Sequence, residues 1–427
     1  MPLMLIKFTL WSLKRIPDNF LISGSAILPP SRKIYILRPC LKDSQPMLRA
    51  AAGALRPLTP SLAALRAAAS LAPAAASMQQ QQPHHHHQRQ QRRAASALTF
   101  AEHGEPEDVL QLVQAAEGAA APPGPRQVSL ELIAAPINPS DINTIQGKYP
   151  LKPPLPGVPG HEGVMRVAAA GAEVRHLRPG DRAVPLLPAL GTWRSGGLFD
   201  AAGWHAVPEG LSDDAAATLC INPPSALCML EHFVDLKAGD VVAQNGATSA
   251  VGQHVIQLCK ARGIHTVNII RDRPDWDATV AWLRGMGADV VASEQQCKQE
   301  LAQAGLPPPA LGLNCVGGSA ALAVAKLLRP GGTVVTYGAM ALQPVPLPAA
   351  LLIFKDLSFR GFWLSGGWAA AAGPAARRAL LDRVAALYQG GALAAPRLQT
   401  FPLSRWREAL AANATAHRNS KVALAAG

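Results

Sequence analysis

At 427 residues the chain is long enough for two domains with separate cores, and its formal charge of +12 invites a nucleic-acid or membrane partner. That charge sits at one end: residues 1–98 hold 13 Lys/Arg against 2 Asp/Glu, and residues 99–427 hold 27 against 26. The near-neutral body argues against a nucleic-acid surface, and no run is apolar and long enough for a spanning helix.

Residues 44–101 contain no acidic side chain, and MLRAAAGALRPLTPSLAALRAAASLAPAAAS, from Met47, spaces arginines among Ala, Leu and Ser. That composition reads as an organelle transit peptide, a cationic amphipathic helix drawn to a negative-inside membrane potential. A disordered Ala-rich tail is the plain alternative. The mitochondrion is the expected destination and the chloroplast the alternative, since both transit types are Arg/Ser-rich and poor in acids. Residues 1–46 form a second leader in series, which points to a translation start at Met47. The Gln tract 79–82 and the His tract 84–87 make a low-complexity insert, and Arg92-Arg93 offers a processing point. Residues 1–97 are therefore read as leader.

Residues 98–219 read as β-rich: VSLELIAAPI and GVMRVAAAGAEV as strands, HLRPGDRAV as a turn feeding another. From Asp240 strand and helix alternate. DVVAQNG is a strand, 250–262 a helix, HTVNIIR a strand, DATVAWLRGMG a helix and ADVVAS a strand. LGLNCVG, AALAVAKLL and GTVVTYG repeat the alternation. Apolar, β-branched strands between helices predict a parallel sheet covered on both faces. A long helix at about 375–389, a shorter one near 405–416 and the strand-like SKVALA close the chain. Six cysteines, Cys40, Cys220, Cys228, Cys259, Cys297 and Cys315, form no C-x-x-C and are expected as scattered core thiols of a reducing compartment.

QNGATSAVGQ, between DVVA and HVIQLCKARG, stands where a βαβ unit places its phosphate turn. Aligned on its last glycine it reads Ala247-x-Ser249-x-x-Gly252, so two of the three usual glycines are missing. Ala247 adds one methyl, Gly252 keeps the helix-packing position, and Ser249 can turn its hydroxyl to a phosphate oxygen. Nineteen residues after Gly252 stand Arg271, Asp272 and Arg273, where an NAD-preferring unit carries an acid for the ribose. Two guanidinium groups there favour a 2′-phosphate, hence NADPH, with Asp272 orienting them. A solvated charge cluster is the alternative reading of the same residues.

INPSDINTIQGKY, ALGTWRS, NPPSALCML, QNGATSAVGQ, NIIRDRPD, LNCVGG, VVTYGAM and LLIFKDLSFRGFWLS stand in order along the chain. Together they resemble the mitochondrial trans-2-enoyl-thioester reductases of type II fatty acid synthesis, a zinc-free branch of the medium-chain dehydrogenase/reductase superfamily. The resemblance runs from about Leu98 to Lys421. It implies an α/β chain with a GroES-like β-rich catalytic domain at 98–221 and 367–427 and a Rossmann NADPH-binding domain at 222–366. It also implies a homodimer through extension of the nucleotide-domain sheet. Tyr149 takes the catalytic position, and Asn222 meets the cofactor from the hinge. Thr248, Ser249, Ala250 and Val251 line the pyrophosphate turn, and Arg271, Asp272 and Arg273 the 2′-phosphate. Tyr337, Gly338, Ala339 and Met340 sit by the nicotinamide, as do Phe362, Trp363 and Leu364, and Lys421 closes the site. The family has Gly where this chain has Ala250, and YGGM where it has YGAM.

Reduction of a 2-enoyl thioester needs donors aimed at the carbonyl oxygen and one placed proton source, which a neutral phenol such as Tyr149 supplies. Packing is the rival role for Tyr149 on residues alone. Lys148 reads as a solvated lysine near any acidic carrier. Related alcohol dehydrogenases place a zinc ligand at the His of GHE, residues 160–162, and catalytic zinc takes three protein ligands. The upstream Cys position falls within Asn138-Pro139-Ser140-Asp141, without a thiol, and Cys220 with His161 makes only two. No metal is expected, and His161 is read as a loop anchor. A zinc-free quinone or alkenal reductase, and an NADPH-binding regulatory protein without chemistry, remain the competing functions.

Overall fold

The computed structural model describes residues 95–114 and 121–427. The expected transit helix, the Met47 start, the His tract and Cys40 lie outside the described residues. Seven strands come first: β1 (Ser96–Thr99), β2 (Gln111–Gln114), β3 (Gln127–Pro136), β4 (Val164–Ala170), β5 (Arg182–Pro185), β6 (Gly196–Asp200) and β7 (Trp204–Ala206). Short helices α1 (Pro106–Val109), α2 (Pro139–Ile145) and α3 (Asp213–Ala217) lie among and after them. Then α4 (Asn222–His232) leads into β8 (Val241–Asn245), α5 (Ala250–Ala261), β9 (His265–Ile269), α6 (Trp276–Met286) and β10 (Val290–Ala292). The alternation continues with α7 (Cys297–Gln303), β11 (Leu311–Asn314), α8 (Gly318–Leu327), β12 (Thr333–Thr336), α9 (Ala349–Lys355) and β13 (Ser358–Gly361). Last come α10 (Ala369–Gln389), β14 (Leu398–Pro402), α11 (Trp406–Ala414) and β15 (Lys421–Ala425).

The middle strands form one six-stranded parallel sheet in the order β10-β9-β8-β11-β12-β13. This is the doubly wound order, and its strand sequence reverses between β8 and β11. Every residue of β8, VVAQN, and of β11, LGLN, is buried, as expected of strands covered by helices on both sides. The outer strands form a seven-stranded sheet, β14-β15-β3-β4-β5-β7, with β6 also on β3. Here alternation is the rule: along β3, Val128, Leu130 and Leu132 are buried against Met165, Trp193 and Trp204, while Gln127, Ser129 and Glu131 between them face outward. These two sheets are the expected Rossmann and GroES-like parts.

A third block of core joins them. Leu380, Leu381 and Val384 of α10 pack with Met229 of α4, Val255 of α5 and Val242 of β8. Within α10, Gly373 has φ 80 and precedes Pro374, so the continuous helix begins there, close to the expected start near 375. Inside this block His254 of α5 is completely buried. Its Nδ1–H donates to the Ala250 carbonyl, and its Nε2 accepts from the Tyr388 hydroxyl of α10 at 2.7 Å.

That bond needs a neutral ring. Burial lowers the His254 pKa from 6.5 to about 4. Between those values the unfolded chain takes up a proton that the folded chain refuses, so stability falls as pH falls. The window from pH 6.5 to 4 is expected to cost about 3 kcal/mol from this group alone. Urea midpoints measured across it should drop steeply for the native chain and flatten in His254→Gln. Equal slopes in both proteins would assign the acid sensitivity elsewhere.

Candidate active site

The crevice at the strand reversal is built by asparagines. Asn245, last in β8, donates to Asn314 Oδ1 at 2.7 Å and accepts from the Cys315 N–H at 2.8 Å. Asn314, last in β11, donates to Thr336 Oγ1 at 3.1 Å and accepts from the N–H groups of Val316 and Gly317. These bonds pin the carboxyl ends of three neighbouring strands, where open α/β sheets bind ligands. Sequence reading passed over both residues; the signal was a buried amide ending successive apolar strands.

The turn after β8 opens on Gly246, whose φ is +62, and a Cβ there would lie 2.5 Å from Cys315 Sγ. The tight-turn glycine thus sits one position before Ala247, outside the register set by aligning on Gly252. At Gly252 a Cβ would meet Ala247 Cα at 2.7 Å, the close helix–strand approach that position demands. Ser249 caps α5, its Oγ accepting from the Gly252 N–H at 3.1 Å. The Thr248 carbonyl is held by Gln253 Nε2 at 2.9 Å. The N–H groups of Ala250 and Val251 have no acceptor among the described residues, and they head a twelve-residue helix. Free donors at a helix N-terminus fit a pyrophosphate.

Beyond β9, Arg271 and Asp272 are exposed, and Arg271 has no acid partner among the described residues. Arg273 is different: its side chain is 3% exposed and grips Asp275 through Nε (2.6 Å) and Nη2 (3.1 Å). Tyr337 follows β12 with its hydroxyl buried beside Cys315 and Ser249, the residue that caps the phosphate turn. Burial raises that phenol well above the ordinary range. Gly338 lies against Cys315, while Ala339 and Met340 are exposed. Asn222, first in α4, is buried and its Nδ2 lacks a partner. A buried amide nitrogen without a protein partner is suited to a polar ligand that completes it.

A buried polar cluster underlies the boundary between the sheets. Glu162 accepts from the N–H groups of Cys220 (3.0 Å) and Ile221 (2.9 Å) and from Asn138 Nδ2 (2.9 Å). Asp141 accepts from the N–H groups of Asn138 and His161, each at 2.8 Å. Lys421 Nζ donates to Asn138 Oδ1 at 2.7 Å and to the Ile137 carbonyl at 3.3 Å. Burial lowers the Lys421 pKa, and the Glu162 and Asp141 carboxylates oppose that. Arg377 of α10 donates to the Cys220 carbonyl.

Tyr149 follows α2 and is half-buried, its ring edge-on to His161 at 5.4 Å. The Trp363 Nε1–H donates to its hydroxyl oxygen at 2.7 Å, with the two rings nearly perpendicular. Burial pushes the phenol pKa up, and hydrogen bonds from Trp363 and Ser365 pull it back. The phenol thus keeps its proton near neutrality while its oxygen is already solvated by an indole N–H. Next to Trp363, Phe362 packs edge-on against Phe233 and Leu364 is buried.

Residues 124–200 match the alcohol dehydrogenase GroES-like domain family, and residues 250–385 the zinc-binding dehydrogenase family. The mitochondrial enoyl-[acyl-carrier-protein] reductase of Arabidopsis thaliana is 45% identical over 305 residues, 70% of this chain and 80% of the relative. The chain belongs to the mitochondrial enoyl-[acyl-carrier-protein] reductases. A solved Etr1p/NADP/crotonyl-CoA complex is 31% identical with a TM-score of 0.70, covering 78% of this chain and 99% of that one. The mitochondrial 2-enoyl thioester reductase Etr1p/Etr2p heterodimer from Candida tropicalis has the same TM-score, identity and coverage. In this reductase both nitrogens of His161 are engaged: Nδ1 accepts from the Ala189 N–H and Nε2 donates to Thr144 Oγ1. Among the described residues no three His, Cys, Asp or Glu side chains are arranged to hold a metal ion. The five described cysteines are buried free thiols.

Proposed function

We propose that this reductase uses NADPH to convert trans-2-enoyl thioesters, carried on CoA or acyl carrier protein, into saturated acyl thioesters in mitochondria. The observation that carries the reading is the Tyr149–Trp363 hydrogen bond, which leaves the phenol proton free for transfer. NADPH, when bound, supplies the hydride that adds at Cβ of the enoyl group. Tyr149 delivers the matching proton at Cα, and the Trp363 N–H then stabilises the developing phenolate.

The nucleotide would lie along the crevice. The α5 N-terminus with Thr248, Ser249, Ala250 and Val251 holds the pyrophosphate, and Arg271 meets the 2′-phosphate. We assign Asn222, whose amide nitrogen lacks a protein partner, to the nicotinamide end together with Tyr337 and Gly338. Lys421 is tied to Asn138 at the foot of the cleft and sets its charge without free reach. The matrix is the compartment we assign, with the chloroplast as the rival destination.

A homodimer is part of the same proposal. Strand β13 is an edge of the six-stranded sheet, and in the segment that leads into it Leu342 (82%), Ile353 (69%) and Phe354 (80%) are exposed. An open edge and so much exposed apolar surface suit a second copy of the chain.

The test is spectrophotometric, on the described portion of the chain. NADPH oxidation should be rapid with a short trans-2-enoyl-CoA and slow with quinones, and NADH a poor substitute. Fast quinone turnover with inert enoyl thioesters would reassign the protein to the quinone reductases. Nucleotide binding with no activity toward any activated alkene would make it a binder.

A further inference from the structure

Arg273 was expected to lie open to the nucleotide, yet it is the most firmly held cation of its loop. Besides Asp275, its Nη2 donates to the His417 carbonyl at 2.6 Å and to Asn419 Oδ1 at 3.0 Å. Asn419 Nδ2 in turn donates to Asp275 Oδ2 at 3.2 Å, closing a ring of three side chains. The remaining nitrogen, Nη1, has no protein acceptor among the described residues. His417 adopts φ 58, a left-handed conformation that a side chain with a Cβ seldom takes. Such a strained carbonyl persists where its surroundings hold it, and here what it meets is Arg273. The segment containing His417 and Asn419 runs straight into β15, so the seven-stranded sheet reaches across to the nucleotide side.

We infer that Asn419 is a positioning residue for nucleotide choice: with the His417 carbonyl it holds Arg273 so that Nη1 faces the ribose 2′-phosphate. This rests on the NADPH reading above. The two arginines then divide the work. Arg271, without an acid partner, supplies net charge. Arg273, neutralised by Asp275, supplies a donor of fixed direction, since a guanidinium already clamped gives up little further freedom on binding. Selectivity for the phosphorylated nucleotide is therefore partly set from outside the nucleotide domain.

Asn419 is exposed, so its truncation does not endanger the fold. Calorimetric titration would compare adenosine 2′,5′-bisphosphate with adenosine 5′-monophosphate on the native chain and on Asn419→Ala. The variant should bind the bisphosphate about tenfold more weakly, the worth of one charge-assisted contact, and the monophosphate unchanged. KM for NADPH should rise by a like factor while KM for NADH stays put. Equal weakening of both ligands, or no change in either, would reduce Asn419 to an interface contact and overturn the inference. A native chain that does not prefer the bisphosphate would instead sink the NADPH reading itself.

Discussion

Tyr149→Phe is expected to lower kcat by about 10²–10⁴-fold, the usual contribution of a placed general acid. Binding of NADPH, followed by quenching of the protein's tryptophans, should be unaltered, because the phenol hydroxyl stands with Trp363 and not in the phosphate turn. The companion variant Trp363→Phe keeps an aromatic ring edge-on to Tyr149 and removes only the N–H donor. Its loss should be smaller, about tenfold, the value of one hydrogen bond to developing charge. Full activity in Tyr149→Phe would transfer the proton to water or another side chain. Equal losses in both variants would mean that the tryptophan sets the geometry of the substrate rather than the charge on the phenol.

Glu162→Ala should be among the most destabilising substitutions in the chain, at about 3–5 kcal/mol, because it strips one side from a buried charge cluster. The carboxylate is completely buried and takes three hydrogen bonds, two of them from the main chain just before α4. Its removal strands those donors, takes from Arg377 its carboxylate and leaves Lys421 with Asp141 alone. Guanidinium-chloride unfolding measures the loss directly. A decrease below about 1 kcal/mol would show that water or a shifted Asp141 compensates. Since Ile221 immediately precedes Asn222, NADPH affinity should fall with stability in this variant.

The parallel sheet was legible because its strands are short, apolar and β-branched, and because each is followed by helix-period sequence. β8 through β12 all lie where the sequence placed them. These helices were not legible: PSDINTI of α2 and NPPSALCMLEH of α4 carry proline in their first turn, which opens a helix as readily as it breaks a strand. The phosphate turn was recognised but set one residue late, since only a backbone dihedral tells that Gly246 makes the turn. Arg273 shows a harder limit. Its position beside Arg271 suggested one shared duty, while its partner Asn419 lies 146 residues further on, beyond any local pattern. Tyr149 could be singled out, but the indole that holds it stands 214 residues away and was legible only as a neighbour of the cofactor.

The last strand has a consequence for the order in which the protein can be made. β3 pairs with β4 and β6 through neighbours that follow soon in the sequence, but along Ala135 and Pro136 its partner is β15, at Leu424 and Ala423. The six-stranded sheet, by contrast, is complete once Gly361 has emerged. A chain arriving from its amino end, at a ribosome or through a membrane pore, can therefore assemble its second half before its first is closed. Until the final residues appear, the first sheet keeps a bare flank that a chaperone must shield or a stray strand can capture.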